Sequence, residues 1–99
     1  MKAFSLVFLL AALVFPARAE SADVVRTCHV RADFNLLISS ARNMTCKAAA
    51  RELRAYRGSI ARRFTLRSGF ACYRVSGNRL AGQWRCVRRR QAFRFEFSD

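Results

Sequence analysis

Gln83-Trp84-Arg85-Cys86-Val87-Arg88-Arg89-Arg90-Gln91-Ala92-Phe93-Arg94-Phe95-Glu96-Phe97 carries the clearest structural pattern in the chain. Residues 93, 95 and 97 are all phenylalanine, separated by Arg94 and Glu96. Alternation of this kind is a strand with one apolar and one polar face. Gln83 to Val87 reads as the preceding strand, and Arg88 to Gln91 as a tight loop between the two. If Val87 faces Ala92, then Cys86 faces Phe93 and Trp84 faces Phe95 on a buried face. The same register sets Arg85 opposite Arg94 on the outer face. Like charges directly opposite destabilise a ladder. An anion bridging the pair would relieve that cost; the plainer reading is that both side chains splay into water.

Working back along the chain, Ser76 to Gly82 is a turn region with two glycines and an asparagine, and Phe70 to Val75 is a third strand. A turn centred near Arg79 makes Cys72 and Cys86 direct neighbours. Phe64-Thr65-Leu66 is a short strand or a lead-in. Earlier still, Cys28, Val30, Ala32, Phe34, Leu36 and Ile38 alternate with polar residues as far as Asn35. That pattern reads as one half-buried strand, with a possible break where both faces turn apolar at Leu36-Leu37-Ile38. Between these parts, Thr45 is a good N-cap for a helix over Cys46 to Arg57, with Gly58 as its stop. Cys46, Ala49, Ala50 and Leu53 form the packing stripe of that helix. Lys47, Arg51 and Arg54 form a second, wholly basic stripe. The expected fold is α+β: one helix on a three- to four-stranded antiparallel sheet, pinned by two disulfides.

All four cysteines, Cys28, Cys46, Cys72 and Cys86, fall after residue 19. An even count in a short exported chain reads as a disulfide framework. No Cys-x-x-Cys pair exists and His29 is the single histidine, so a zinc site is not expected. Cys72–Cys86 with Cys28–Cys46 is the favoured pairing. A strand running unbroken from Cys28 to Ile38 would span about 33 Å and carry Cys28 away from Cys46. Either that strand is short, or each early cysteine joins the hairpin; three connectivities remain open.

Export is expected from the N-terminus. Met1-Lys2 is followed by an apolar run from Phe4 to Phe15, then Pro16 and Ala17-Arg18-Ala19. This is the layout of a secretory signal peptide. The run is shorter than the roughly 20 residues that span a bilayer. Residues 1–19 are therefore expected to be cleaved, leaving residues 20–99 as one small disulfide-bonded domain, secreted or periplasmic, with no transmembrane span.

Removing Lys2 and Arg18 leaves 17 basic residues against six acids, a net charge of +11, and every basic residue but Lys47 is arginine. Such a surface attracts polyanions: an anionic envelope polymer, lipid headgroups or nucleic acid. Arginine grips phosphate and carboxylate with a flat fork that lysine lacks. Codon usage in a GC-rich genome also enriches arginine and alanine, and this reading stands beside selected binding. The primary anion-binding candidates are Arg85, Arg88, Arg89, Arg90 and Arg94; Lys47, Arg51 and Arg54 are secondary. Asn43-Met44-Thr45 matches a glycosylation sequon, a short pattern that recurs by chance.

No catalytic set is apparent. His29 and Asp33 share a strand face but stand about 13 Å apart along it. No Gly-rich phosphate loop, cofactor motif or metal cluster appears, and an enzyme is not expected. Asn43 to Ala50, Gly69-Phe70-Ala71-Cys72, and Cys86 followed by basic residues and Phe93-Arg94-Phe95 together resemble a loose group of small secreted bacterial cysteine-containing proteins. In that group a cysteine opens a helix and two more lie in a C-terminal hairpin. The resemblance implies an exported bacterial protein with an α+β fold and carries no functional residues with it. The expected function is non-enzymatic binding of anionic envelope or extracellular ligands. The alternatives are a secreted cationic, membrane-active antimicrobial or toxin-like protein, or an inhibitor of an acidic exported protein. A basic target would repel this surface.

Overall fold

The hairpin pairs in the register that its alternation requires. In the computed structural model, which describes residues 22–99, Val87 faces Ala92, Cys86 faces Phe93, Trp84 faces Phe95 and Arg85 faces Arg94. The signal peptide expected over residues 1–19 lies outside the described residues. The elements are β1 (Val25–Asp33), β2 (Leu36–Arg42), α1 (Cys46–Arg54), β3 (Arg63–Thr65), β4 (Ala71–Gly77), β5 (Ala81–Arg88) and β6 (Gln91–Ser98). The strands form one antiparallel sheet in the order β1-β2-β6-β5-β4-β3.

Over the described residues the fold is therefore mostly β, six strands and one short helix, and not the expected α+β arrangement of a helix on three or four strands. The difference lies in residues 25–42 and in the short β3, which the sequence leaves between a strand and a lead-in. What reads as one strand is a hairpin, β1 and β2, turning at Phe34-Asn35. A two-residue turn would normally shift the apolar parity from even to odd positions. Here the register slips by one residue between Arg31 and Asp33. This bulge cancels the shift, so Ala32, Leu36 and Ile38 all point inward and the alternation runs through the turn unbroken. Phe34, which fits the pattern as a core residue, stands at the tip and is 83% exposed.

The inner face holds the core. Ile38, Phe70, Trp84, Cys86, Phe93 and Phe95 are fully buried. Trp84 stacks on Phe95 with ring centroids 5.6 Å apart, and Phe97 meets Trp84 edge-on at 5.9 Å. Helix α1 covers this face at β1 and β2. Thr45 caps it, its side chain accepting from Ala48 N at 3.0 Å, and Ala49, Ala50 and Leu53 are buried. The helix ends at Arg54, short of the expected Arg57, with Ala55 as C-cap. Residues 55–62 then cross the other half of the face. Tyr56 stacks on Phe64 at 4.6 Å, and Trp84 Nε1 donates to Ala61 O at 2.8 Å. Buried tryptophan requires such a partner for its N–H.

Sheet edges invite pairing with other chains. β3 is only three residues long. On the opposite edge, Arg54 at the end of α1 donates to Ala32 O at 3.1 Å and to Arg31 O at 3.5 Å. At the far end of the β4–β5 hairpin, Gly77 takes φ 88° and lies against Gly82 and Ala81, where a side chain would collide.

The disulfides are Cys28–Cys46, with Cα atoms 5.6 Å apart, and Cys72–Cys86, 4.0 Å apart. The distance objection to the first disappears because β2 carries the chain back alongside β1, so the helix opens next to Cys28. The two bridges point to an oxidising, extracytoplasmic compartment. Among the described residues no helix is long and apolar enough to cross a membrane.

Candidate functional site

Among the described residues, the helix and the 55–62 segment cover one face of the sheet and leave the other bare. Strand register defines what the bare face presents. One row crosses all six strands: Thr27, Ser40, Arg94, Arg85, Tyr73 and Arg63. Neighbours in such a row stand about 4.8 Å apart in the hydrogen-bonding direction. The adjoining row is Val25, Arg42, Ala92, Val87, Ala71 and Thr65. Four arginines from four strands, Arg42, Arg63, Arg85 and Arg94, thus share one face. Arg85 Nη1 donates to the Tyr73 hydroxyl at 3.1 Å. Among the described residues no carboxylate forms an ion pair with Arg85, Arg94 or Arg63; the ion pairs are Asp23 with Arg42 and with Arg90. Glu96 lies two residues along β6 from Arg94, between Leu37 and Gln83.

The arginines of the β5–β6 loop do not join this face. The turn is Arg89-Arg90, with Arg88 paired to Gln91. Arg88 follows Trp84 and Cys86 on the inner side. Its guanidinium lies 4.4 Å over the Phe70 ring, and it donates to Ser68 O at 2.8 Å and to Gln91 Oε1 at 2.7 Å. Arg90 donates to Asp23 Oδ1 at 3.0 Å. Arg89 occupies the turn with φ 55°. The five primary candidates therefore divide: Arg85 and Arg94 stand together, while Arg88, Arg89 and Arg90 point to three different surroundings. Of the secondary set, Lys47 and Arg51 are exposed on α1, and Arg54 is committed to the carbonyls of β1. Sequence reading missed Arg42 and Arg63. The alternation Arg63-Phe64-Thr65 carries the signal for Arg63; placing Arg42 required the β1–β2 hairpin.

Asn43 is an internal fastener. It has φ 55°, a region that asparagine tolerates better than most residues. Its Oδ1 accepts from Val24 N at 2.9 Å, and its Nδ2 donates to Asp23 Oδ1 at 3.0 Å and Arg90 O at 2.9 Å. The Asn43 amide, then Arg90 and Arg42, hold the Asp23 carboxyl below the ordinary carboxylate range. The sequon asparagine thus spends its side-chain amide on the fold. Asn43→Ala removes these bonds and places an alanine in the left-handed region. The expected loss is about 1–2 kcal/mol of unfolding free energy, measured by urea denaturation; a change under about 0.3 kcal/mol would show the clip to be idle.

Among the described residues no three His, Cys, Asp or Glu side chains gather as a metal site, and His29 is exposed on β1. The chain matches no protein-family model, no curated protein and no solved structure.

Proposed function

We propose that this is an exported, non-enzymatic binding protein, secreted or periplasmic, whose bare sheet face takes anionic ligands. The observation that carries the reading is the Arg85–Arg94 cross-strand pair. It shares with Arg63 and Arg42 a face that no other element covers among the described residues. Arg85 and Arg94 on adjacent strands repel each other in the free protein, and an anion lying across them turns that repulsion into attraction. The rigid sheet holds the forks in place, so little ordering is required when a ligand arrives.

Short single-stranded DNA serves as the probe polyanion. Arg63→Gln, Arg85→Gln and Arg94→Gln together should weaken its binding and flatten the salt dependence by about 2 in log affinity per log salt. Lys47→Gln, Arg51→Gln and Arg57→Gln, at equal net charge, should change the slope by less than half as much. Equal effects from the two triples would reduce the protein to a diffuse cation without a binding face. Dye leakage from anionic vesicles at the concentrations that bind would replace this reading with the membrane-active one.

A further inference from the structure

A pocket of about 200 Å³ opens on the bare face where Ala92 stands among long side chains. Register explains it. Arg42 faces Ala92 across β2–β6, and Ser40 and Arg85 face Arg94 on either side of β6. A large residue at position 92 would fill the space; alanine leaves a hole with a floor only 5% exposed. Val25 stands on the rim. From these observations we infer that the pocket bounded by Arg42, Arg85, Arg94 and Ser40 is a seat for a phosphomonoester group, which rests on the reading of this face as the anion-binding one.

Size and charge select this chemistry. Pockets that enclose a whole drug-sized ligand measure roughly 300–1,000 Å³, so this one takes a terminal group and leaves the rest of the ligand outside. Arginines from three strands, Arg42, Arg85 and Arg94, line it. Arg85 has one nitrogen on Tyr73 and Arg42 has one on Asp23, at 3.1 and 3.4 Å, and neither spends its remaining donors on another partner among the described residues. Arg94 donates its guanidinium to no described residue. A phosphomonoester offers three terminal oxygens and close to two charges, and arginine forks match it bidentately. A carboxylate has two oxygens and one charge, and a phosphodiester has lost one terminal oxygen to its second ester. The same group occurs on small sugar or polyol phosphates and on a phosphatidic acid headgroup.

The test titrates the full oxidised protein with glycerol phosphate, with acetate, and with vesicles containing either phosphatidic acid or the diester phosphatidylglycerol. Glycerol phosphate should saturate and shift the amide resonances of Ser40, Ala92 and Arg94, with acetate at least tenfold weaker. Phosphatidic acid vesicles should outcompete phosphatidylglycerol at matched surface charge; the tighter of the free and membrane arms names the source. Two variants keep the net charge. Ala92→Leu fills the hole, and Arg85→Lys with Arg94→Lys removes the forks. Each should weaken glycerol phosphate by roughly tenfold or more, and DNA binding by the unmodified protein is measured in parallel as the readout of the face as a whole. The lysine pair lies on an exposed face and keeps the assay valid if Ala92→Leu misfolds. Unchanged glycerol phosphate affinity in the lysine pair, or acetate binding as well as glycerol phosphate, would overturn the pocket alone. Loss of DNA binding from the unmodified protein would overturn the face itself.

Discussion

Phe95→Ala should cost about 3–5 kcal/mol of folding stability, a large share of what a small domain possesses. Phe95 is fully buried, and its ring lies nearly parallel to Trp84 at 5.6 Å. It also meets Phe64 and Phe93, each at 6.4 Å. Truncation removes the centre of an aromatic cluster. Its neighbours cannot close the gap, because Trp84 is tied to Ala61 O and Cys86 is bridged to Cys72. Phe97 touches the same tryptophan but is only partly buried. Phe97→Ala should therefore cost about 1–2 kcal/mol. Urea unfolding followed by Trp84 fluorescence measures both. Equal, small losses would mean that β6 contributes little to the core.

Replacing Cys28 and Cys46 together by alanine should cost about 3 kcal/mol, the scale expected for a bridge closing a loop of this length, and the loss should be unevenly distributed. The bridge spans 18 positions and joins α1 to the edge strand β1. A nine-residue helix is too short to persist without tertiary support. Its other anchors are two alanines, Leu53 and the Arg54 contacts with β1. Without the bridge, hydrogen exchange in Cys46–Arg54 should accelerate well before exchange in the β5–β6 hairpin, which keeps its own aromatic core and the Cys72–Cys86 bridge. Helix amides that retain the protection of the sheet would refute this division. Exchange accelerating equally everywhere would refute it too, showing that helix and sheet open as one unit.

The C-terminal hairpin is legible because its information is local. Residues 83–86 and 93–97 alternate polar and apolar, the turn between the strands is short, and one cross-strand pair fixes all the others. The helix start is legible for the same reason: Thr45 caps the residues directly after it. The strand count was not legible. The bulge in β1 hides the Phe34-Asn35 turn inside an unbroken alternation, and propensity offers no glycine or proline to mark it. Without that turn, Cys28 and Cys46 appear far apart and two strands read as one.

The candidate site divides along the same line. Composition and the hairpin register established a net basic chain and the juxtaposition of Arg85 with Arg94, since both follow from counting and from one local pairing. A run such as Arg88-Arg89-Arg90 looks like a single patch because the residues are consecutive. A turn fans its side chains in different directions, and folding commits Arg88 to Phe70 and Arg90 to Asp23. Conversely, Arg42, Arg63 and Ala92 are far apart in the chain and reach one face only through the β2–β6 and β3–β4 pairings. Charge and alternation are properties of neighbouring residues. Which arginines share a face, and where a small residue leaves a pocket between them, depends on non-local strand order.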